Sequence, residues 1–114
     1  MRTIIAHCMI LTAGATNAEQ GQFVGIGSDT CGVFAQDYRK DGAAVENIYF
    51  TWAQGFMSGM NGMLVNEAKG FRQLTAKSTS EQKAFIRSYC SQHPLDDYPT
   101  AVVALFRSLP VVSD

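Results

Sequence analysis

The sequence predicts an all-α fold, a small four-helix domain closed by one disulfide and preceded by a cleaved signal peptide. Apolar residues recur three and four positions apart over most of the 114-residue chain, which is the spacing of one helical face. Two cysteines far apart in the sequence can join two of these helices. The first 18 residues carry the basic, apolar and small-residue order of an export signal.

The amino terminus predicts export. Arg2 precedes a short apolar run, and Thr16 and Ala18 provide the small residues that a signal peptidase reads. We therefore expect residues 1–18 to be removed after Ala18, and the mature protein to be periplasmic or secreted. The apolar run is shorter than the roughly 20 residues of a membrane helix, so we expect no integral membrane segment in the mature chain.

The cysteines predict a structural disulfide. Cys8 leaves with the signal peptide, and Cys31 and Cys90 remain as a pair in an oxidising compartment. A bond between them would close a loop of about 60 residues, worth ~4 kcal/mol in the chain-entropy account. A stabilisation of that size matches the whole stability of many small domains.

The charge pattern argues against nucleic acid as a partner. All ten acidic residues and every basic residue except Arg2 follow the signal peptide, which leaves a net charge of about −2. Lys and Arg form no run and do not alternate with aromatic residues. Binding to nucleic acid or to an anionic membrane is therefore not expected.

The mature chain divides into an extended lead-in at 19–27, a single helical domain at 28–110 and a C-terminal tail at 111–114. The lead-in is rich in glycine and shows no periodicity. A first helix follows the capping residues of Ser28-Asp29-Thr30 and presents the apolar positions Cys31, Phe34, Ala35 and Tyr38. It ends near Gly42, which suits a helix C-terminus.

The second helix is the longest and is predicted from about 43 to about 68. Its apolar positions repeat at helical spacing: Val45, Ile48, Tyr49, Trp52, Phe56, Met60, Met63 and Leu64. Gly55, Gly59 and Gly62 lie inside it, and each costs about 1 kcal/mol relative to Ala. We expect close approach of another helix, or of the lead-in, to offset that cost.

Two shorter helices complete the domain after a polar connector at 71–79. The third begins at a capping box of Ser78 and Glu81 and stops before Pro94. The fourth is capped by Asp96 or Asp97, and Pro110 ends it. Its inner face is Val102, Leu105, Phe106 and Leu109. No strand is predicted.

The long helix also carries the candidate site. Its aromatic residues exceed what one narrow helical stripe buries, and the neighbours Tyr49 and Phe50 point about 100° apart, so one of them is expected at the surface. Either three partners enclose a wide apolar face, or the face is a groove or partner-binding patch. The candidate patch comprises Tyr49, Trp52, Gly55, Phe56, Gly59 and Asn61.

Met57, Met60 and Met63 suggest a weaker alternative, because thioethers bind Cu(I). Methionine also fills irregular gaps in a core, and a step of three residues drifts around a helix. We therefore predict neither a metal nor a cofactor. The chain shows no nucleophile elbow and no convincing acid–base pair, so catalysis is not expected.

Several motifs resemble a group of small exported helical proteins of proteobacteria. They are Cys31-x-x-Phe34, Trp52-x-x-Gly55-Phe56-x-x-Gly59-x-Asn61 and Tyr89-Cys90-x-x-His93-Pro94-Leu95, followed by Ala101-Val102 and Leu105. These motifs are similar to those of the Tai-type amidase-immunity proteins and, more distantly, the chain resembles the HdeA-type acid-activated chaperones. Immunity proteins of that group commonly carry additional cysteine pairs, which this chain lacks.

The resemblance implies an exported helical protein that acts on another protein. We therefore expect a non-enzymatic interaction protein of the cell envelope, immunity-like or holdase-like. The alternative hypothesis is a module that binds a small molecule or a metal, such as heme or copper.

Overall fold

The computed structural model describes residues 22–113, and the predicted signal peptide lies outside them. Within that range the fold is helical, as predicted. The helices are α1 (Cys31–Asp41), α2 (Ala43–Asn66), α3 (Thr79–Gln92) and α4 (Tyr98–Ser108), preceded by a 3-10 turn at Ile26–Ser28. Two short strands, β1 (Phe71–Arg72) and β2 (Val111–Val112), pair antiparallel.

The helix ends follow local capping chemistry. The Thr30 side chain accepts a hydrogen bond from the Val33 amide at 3.1 Å, and the Ser78 side chain accepts one from the Glu81 amide at 3.1 Å. Gly42 separates α1 from α2 with a φ of +58°, where a side chain would be strained. The predicted caps at Gly42 and Ser78 are confirmed.

The predicted disulfide joins α1 to α3. Cys31 and Cys90 are bonded, with their Cα atoms 4.7 Å apart and 59 positions between them in sequence. The amide of Cys31 also donates to the Asp96 carbonyl at 2.7 Å, and the amide of Gly32 donates to the Pro94 carbonyl at 3.0 Å. The start of α1 is therefore fixed both to α3 and to the loop before α4.

The core lies where the four helices meet. All four predicted inner positions of α4 are buried, and the largest fully buried side chains include Tyr49, Tyr98 and Phe34. These three rings pack against one another with centroids 4.9 to 5.1 Å apart. Such edge-on and tilted contacts add to the stabilisation that burial alone provides.

Two predictions for the face of α2 are wrong. Ile48 and Met63 were placed on the apolar stripe, but both are largely exposed. Tyr49 and Phe50 are both buried, although one of them was expected at the surface. The reason is that α1 and α4 pack beside Tyr49, while the Lys83 ammonium of α3 lies 5.5 Å from the Phe50 ring centroid.

The connector and the tail also depart from the prediction. Residues 71–79 include a strand, and the tail pairs with it in the register Phe71 to Val112 and Arg72 to Val111. Gly70 has a φ of +77°, and a side chain there would overlap the Val112 carbonyl. This ribbon is only two residues long in each strand, too short to show an alternating pattern.

The start of α4 is only partly as predicted. Asp97 occupies the N-cap position, but its side chain makes no capping hydrogen bond. The carboxylate of Asp96 instead accepts a hydrogen bond from the Tyr89 hydroxyl at 2.7 Å. Neither aspartate therefore caps α4 through its side chain.

Candidate interaction site

The lead-in lies across the middle of α2, and we call residues 22–28 the strap. The rings of Trp52 and Phe56, one helical turn apart, are stacked with centroids 5.2 Å apart and an interplanar angle of 10°. Phe23 of the strap meets both rings edge-on, with centroids 6.5 Å from Trp52 and 5.6 Å from Phe56. These three rings form what we call the aromatic face.

The strap backbone crosses the indole directly. Trp52 Nε1 donates a hydrogen bond to the Val24 carbonyl at 2.9 Å. Gly25 has a φ of +86°, and a Cβ there would lie 3.3 Å from the indole. A Cβ on Gly27 would overlap the same ring. Because Gly25 and Gly27 have no side chain, the strap backbone lies closer to the Trp52 ring than it could with any other residue at these two positions.

The aromatic face is only partly covered by the strap. Phe23 is 42% exposed and Val24 is 79% exposed, while Trp52 and Phe56 are half-buried. Below the indole, Tyr98 of α4 lies edge-on with its ring centroid 6.1 Å away. Trp52 is thus held between the strap on one side and the core on the other.

A polar cluster lies beneath the end of the strap. The Tyr49 hydroxyl is 2.7 Å from Oδ2 of Asp29 and 2.9 Å from Oδ2 of Asp37. Since a phenol carries one proton, it donates to one carboxylate at a time. Burial, followed by the hydrogen bonds and charges of these two aspartates, raises the pKa of Tyr49 far above its usual value. Tyr49 is therefore a neutral hydrogen-bond donor that connects α2 to α1 and to Asp29.

Two further contacts connect helices through charged or phenolic groups. Arg87 Nε of α3 lies 2.6 Å from Oε2 of Glu46 in α2, and Glu46 is only 8% exposed. Burial, and then the charge of Glu46, raises the pKa of Tyr98. The hydrogen bond to Asp96 is the main cause of the raised pKa of Tyr89. The Arg87–Glu46 pair therefore joins α3 to α2, and the hydrogen bond from Tyr89 to Asp96 joins α3 to the loop before α4.

The glycines of α2 are exposed. Gly55, Gly59 and Gly62 fall on one side of the helix, and no atom of residues 22–113 lies within 4 Å of the Cβ position of any of them, outside the helix's own backbone and immediate neighbours. The close approach predicted at these glycines is not found in this part of the chain. The lead-in does approach α2 closely, but it does so at Trp52 and uses Gly25 and Gly27.

The structure therefore divides the predicted patch. Trp52 and Phe56 belong to the aromatic face, and Gly55 and Gly59 lie exposed beside them. Tyr49 is fully buried in the core. The side chain of Asn61 donates to the Arg72 carbonyl and accepts from the Arg72 amide, both at 2.8 Å, and so anchors β1 to α2.

The three methionines lie at different depths. Met57 is 1% exposed and part of the core, Met60 is half-buried and Met63 is 62% exposed. Their side chains thus occupy distinct environments along α2. Between residues 22 and 113, no three His, Cys, Asp or Glu side chains form a group that could hold a metal ion.

Comparison with known proteins identifies no relative of this chain. No protein family matches this chain, and neither a curated protein nor a solved structure matches it significantly. The resemblance to the Tai-type and HdeA-type proteins therefore stays a prediction. None of the helices in 22–113 combines the length and the apolar character that crossing a membrane requires.

The sequence predicted that the lead-in could approach α2, but at Gly55 and Gly59, and it did not indicate that Phe23 contributes to the site. Phe23 completes the aromatic face, although nothing in its local sequence distinguishes it from a residue of an unstructured linker. The available signal was the pair Gly25 and Gly27, spaced to let the backbone pass over a large side chain. Reading those glycines required knowing that Trp52 lies beneath them.

Proposed function

We propose that this chain is a non-enzymatic interaction protein of an exported compartment, immunity-like or holdase-like, and that it binds another protein through α2. The surface we assign to the partner comprises the aromatic face and the exposed glycines next to it. Trp52, Gly55, Phe56 and Gly59 belong to the patch expected from the sequence, whereas Phe23 and Gly62 do not.

The exposed glycines carry this proposal. Each glycine within a helix lowers the free energy of unfolding by about 1 kcal/mol relative to alanine, so three glycines weaken a small domain considerably. Among residues 22–113, nothing occupies the space that their missing side chains leave. A partner whose backbone approaches α2 at Gly55 and Gly59 would use that space.

The aromatic face supports the same surface. Partly exposed Trp and Phe rings are typical anchors of protein–protein contacts, because they bury a large apolar area on association. On the helical wheel, Trp52 and Phe56 lie together next to the side of α2 that carries Gly55 and Gly59. A partner lying along the glycines would therefore also contact the rings.

Substitution at Gly59 tests the proposal, because it separates stability from binding. Gly59→Ala has room for its methyl group and is expected to raise the stability of the isolated protein by up to about 1 kcal/mol. Gly59→Leu keeps the helix but fills the space that we assign to the partner. We expect Gly59→Leu to abolish specific capture of a partner from the exported fraction of the source cells, while thermal unfolding remains close to that of the wild type.

Ala84→Leu on the exposed side of α3 is the matched control, since it places the same leucine side chain away from α2. Its capture should equal that of the wild type. Equal capture by Gly59→Leu and the wild type would refute the assigned surface. A captured protein that binds at neutral pH with fixed stoichiometry would favour an immunity-like role, whereas suppression of client aggregation in acid would favour a holdase.

A further inference from the structure

We propose that the Trp52 side of the aromatic face is a peptide-binding site that the strap fills in the free protein and that a short segment of a partner protein, shaped like the strap, fills in the complex. The segment has an aromatic residue followed by glycines at the second and fourth positions after it, as in Phe23-x-Gly25-x-Gly27. This inference rests on the proposed function and specifies the chemistry of the partner.

The strap itself shows what the site accepts. One aromatic side chain lies edge-on against the stacked rings of Trp52 and Phe56. One backbone carbonyl accepts the indole N–H at 2.9 Å. The position over the six-membered part of the indole excludes any side chain, as the overlap at Gly27 shows. Since Ile26–Ser28 form a 3-10 turn, these features together define a short glycine-containing ligand that turns at its second glycine.

The strap is held mainly by apolar packing, with Ile26 against the core and Phe23 against the aromatic rings, and by the hydrogen bond from Trp52 to the Val24 carbonyl. Residues 22–28 carry no charged side chain. The internal hydrogen bonds of the turn, from Ser28 to the Gly25 carbonyl, would persist if the strap lifted away. From Asp29 onward the chain is fixed, because the Asp29 carboxylate accepts from Tyr49 and its carbonyl accepts from the Tyr98 amide at 2.9 Å. Lifting the strap also requires release of Ile26 from the core and of the 3.4 Å hydrogen bond from the Asp29 amide to the Ile26 carbonyl.

Competition with the strap would set the affinity for a partner. A tethered segment acts at an effective concentration on the order of millimolar, so a free peptide of the same sequence binds poorly while the strap is in place. Its apparent dissociation constant equals the intrinsic dissociation constant divided by the fraction of molecules in which the site is open. A substitution that weakens the contact between the strap and the aromatic face, and leaves Trp52 and Phe56 unchanged, should therefore make the site accessible to a free peptide.

The test uses the full-length chain carrying Gly27→Ala, whose new methyl group prevents the strap from lying on the indole. The ligand is a synthetic peptide of Gln22–Ser28 with blocked ends, and the readout is Trp52 fluorescence. We expect saturable binding to the variant, with a dissociation constant about tenfold lower than for the wild-type protein. Matched control peptides carrying Gly27→Ala or Phe23→Ala should not bind.

A second variant guards against an effect of Gly27→Ala on folding. Phe23→Ala keeps the glycines but removes the ring that packs against Trp52 and Phe56. This variant should also bind the wild-type peptide more tightly than the wild-type protein does. Absence of saturable binding to both variants, with helical circular dichroism intact, would overturn the peptide site. The proposed partner surface at the exposed glycines would still be supported if Gly59→Leu abolished capture of the partner.

The same experiment identifies a second copy of this chain as an alternative occupant. If the wild-type protein forms a dimer at rising concentration and the peptide dissociates it, strap exchange between two copies accounts for the site, and the proposal of a different partner protein is wrong. A monomer throughout the concentration range, with the peptide binding as expected, supports the proposal.

Discussion

Raising the pH above 10 should destabilise this protein through two buried tyrosines. Tyr49 and Tyr98 are 0% and 1% exposed, and in both cases burial is the main cause of a raised pKa. In the unfolded chain a tyrosine releases its proton near pH 10, whereas these two retain theirs in the folded protein. The unfolded state therefore binds fewer protons, and stability falls as the pH rises between the unfolded and the folded pKa values.

The size of the effect follows from linkage. The stabilisation that neutral phenols provide is fully present below pH 10. By pH 11 each protected tyrosine lowers the free energy of unfolding by about 1.4 kcal/mol, or about 2.8 kcal/mol for Tyr49 and Tyr98 together. Against a typical stability of about 5–15 kcal/mol for a small protein, this loss is readily measured by urea unfolding.

The assay is urea unfolding followed by circular dichroism at pH 8, 10 and 11, with tyrosinate absorbance at 295 nm recorded in parallel. Tyr98→Phe is the informative variant, because it removes one of the two buried phenol groups to which we assign the effect and leaves the ring packing in place. Its loss of stability between pH 8 and 11 should be smaller than that of the wild type by about 1.4 kcal/mol. Equal losses in the two proteins, or ionisation of all four tyrosines while the helices remain intact, would refute the reasoning.

Three further predictions concern other parts of the molecule. Replacing both Cys31 and Cys90 with Ser should lower the free energy of unfolding by about 2–4 kcal/mol, and an alkylating reagent should label neither thiol in the oxidised wild type. Asn61→Ala should cost about 1–3 kcal/mol, because it removes both hydrogen bonds to the Arg72 backbone, and hydrogen exchange should show faster exchange at β1 than in the wild type. Near pH 2–3 a chain that has lost the predicted signal peptide would carry a charge of about +10, so we expect circular dichroism to show partial, reversible loosening of the helices. If light scattering shows that the protein does not suppress aggregation of a client at that pH, it is not an acid-activated holdase.

The helices could be predicted because their signals are local. Capping at Gly42 and Ser78 and the apolar period of α4 each depend on residues within a few positions of one another. The disulfide was predictable for a different reason, since the predicted removal of residues 1–18 would leave only Cys31 and Cys90 to pair.

The candidate site was less predictable because its contacts are distant in sequence. Trp52 and Phe56 were identified from their excess over one helical stripe, but Phe23 lies about 30 residues earlier in a segment without periodicity. The pairing of Tyr49 with Asp29 and Asp37 likewise depends on how α1 packs on α2. Helical periodicity shows which residues share a face, and tertiary packing decides what covers that face.

The position of the disulfide also makes Trp52 a natural probe of the two chain ends. The bond between Cys31 and Cys90 encloses α1, α2 and α3 in one covalent ring, and both the strap and α4 lie outside it. Trp52 is the single tryptophan of the sequence, and it contacts the strap on one side and Tyr98 of α4 on the other. Its emission can therefore report the detachment of either terminal segment from an otherwise intact ring, without any added label.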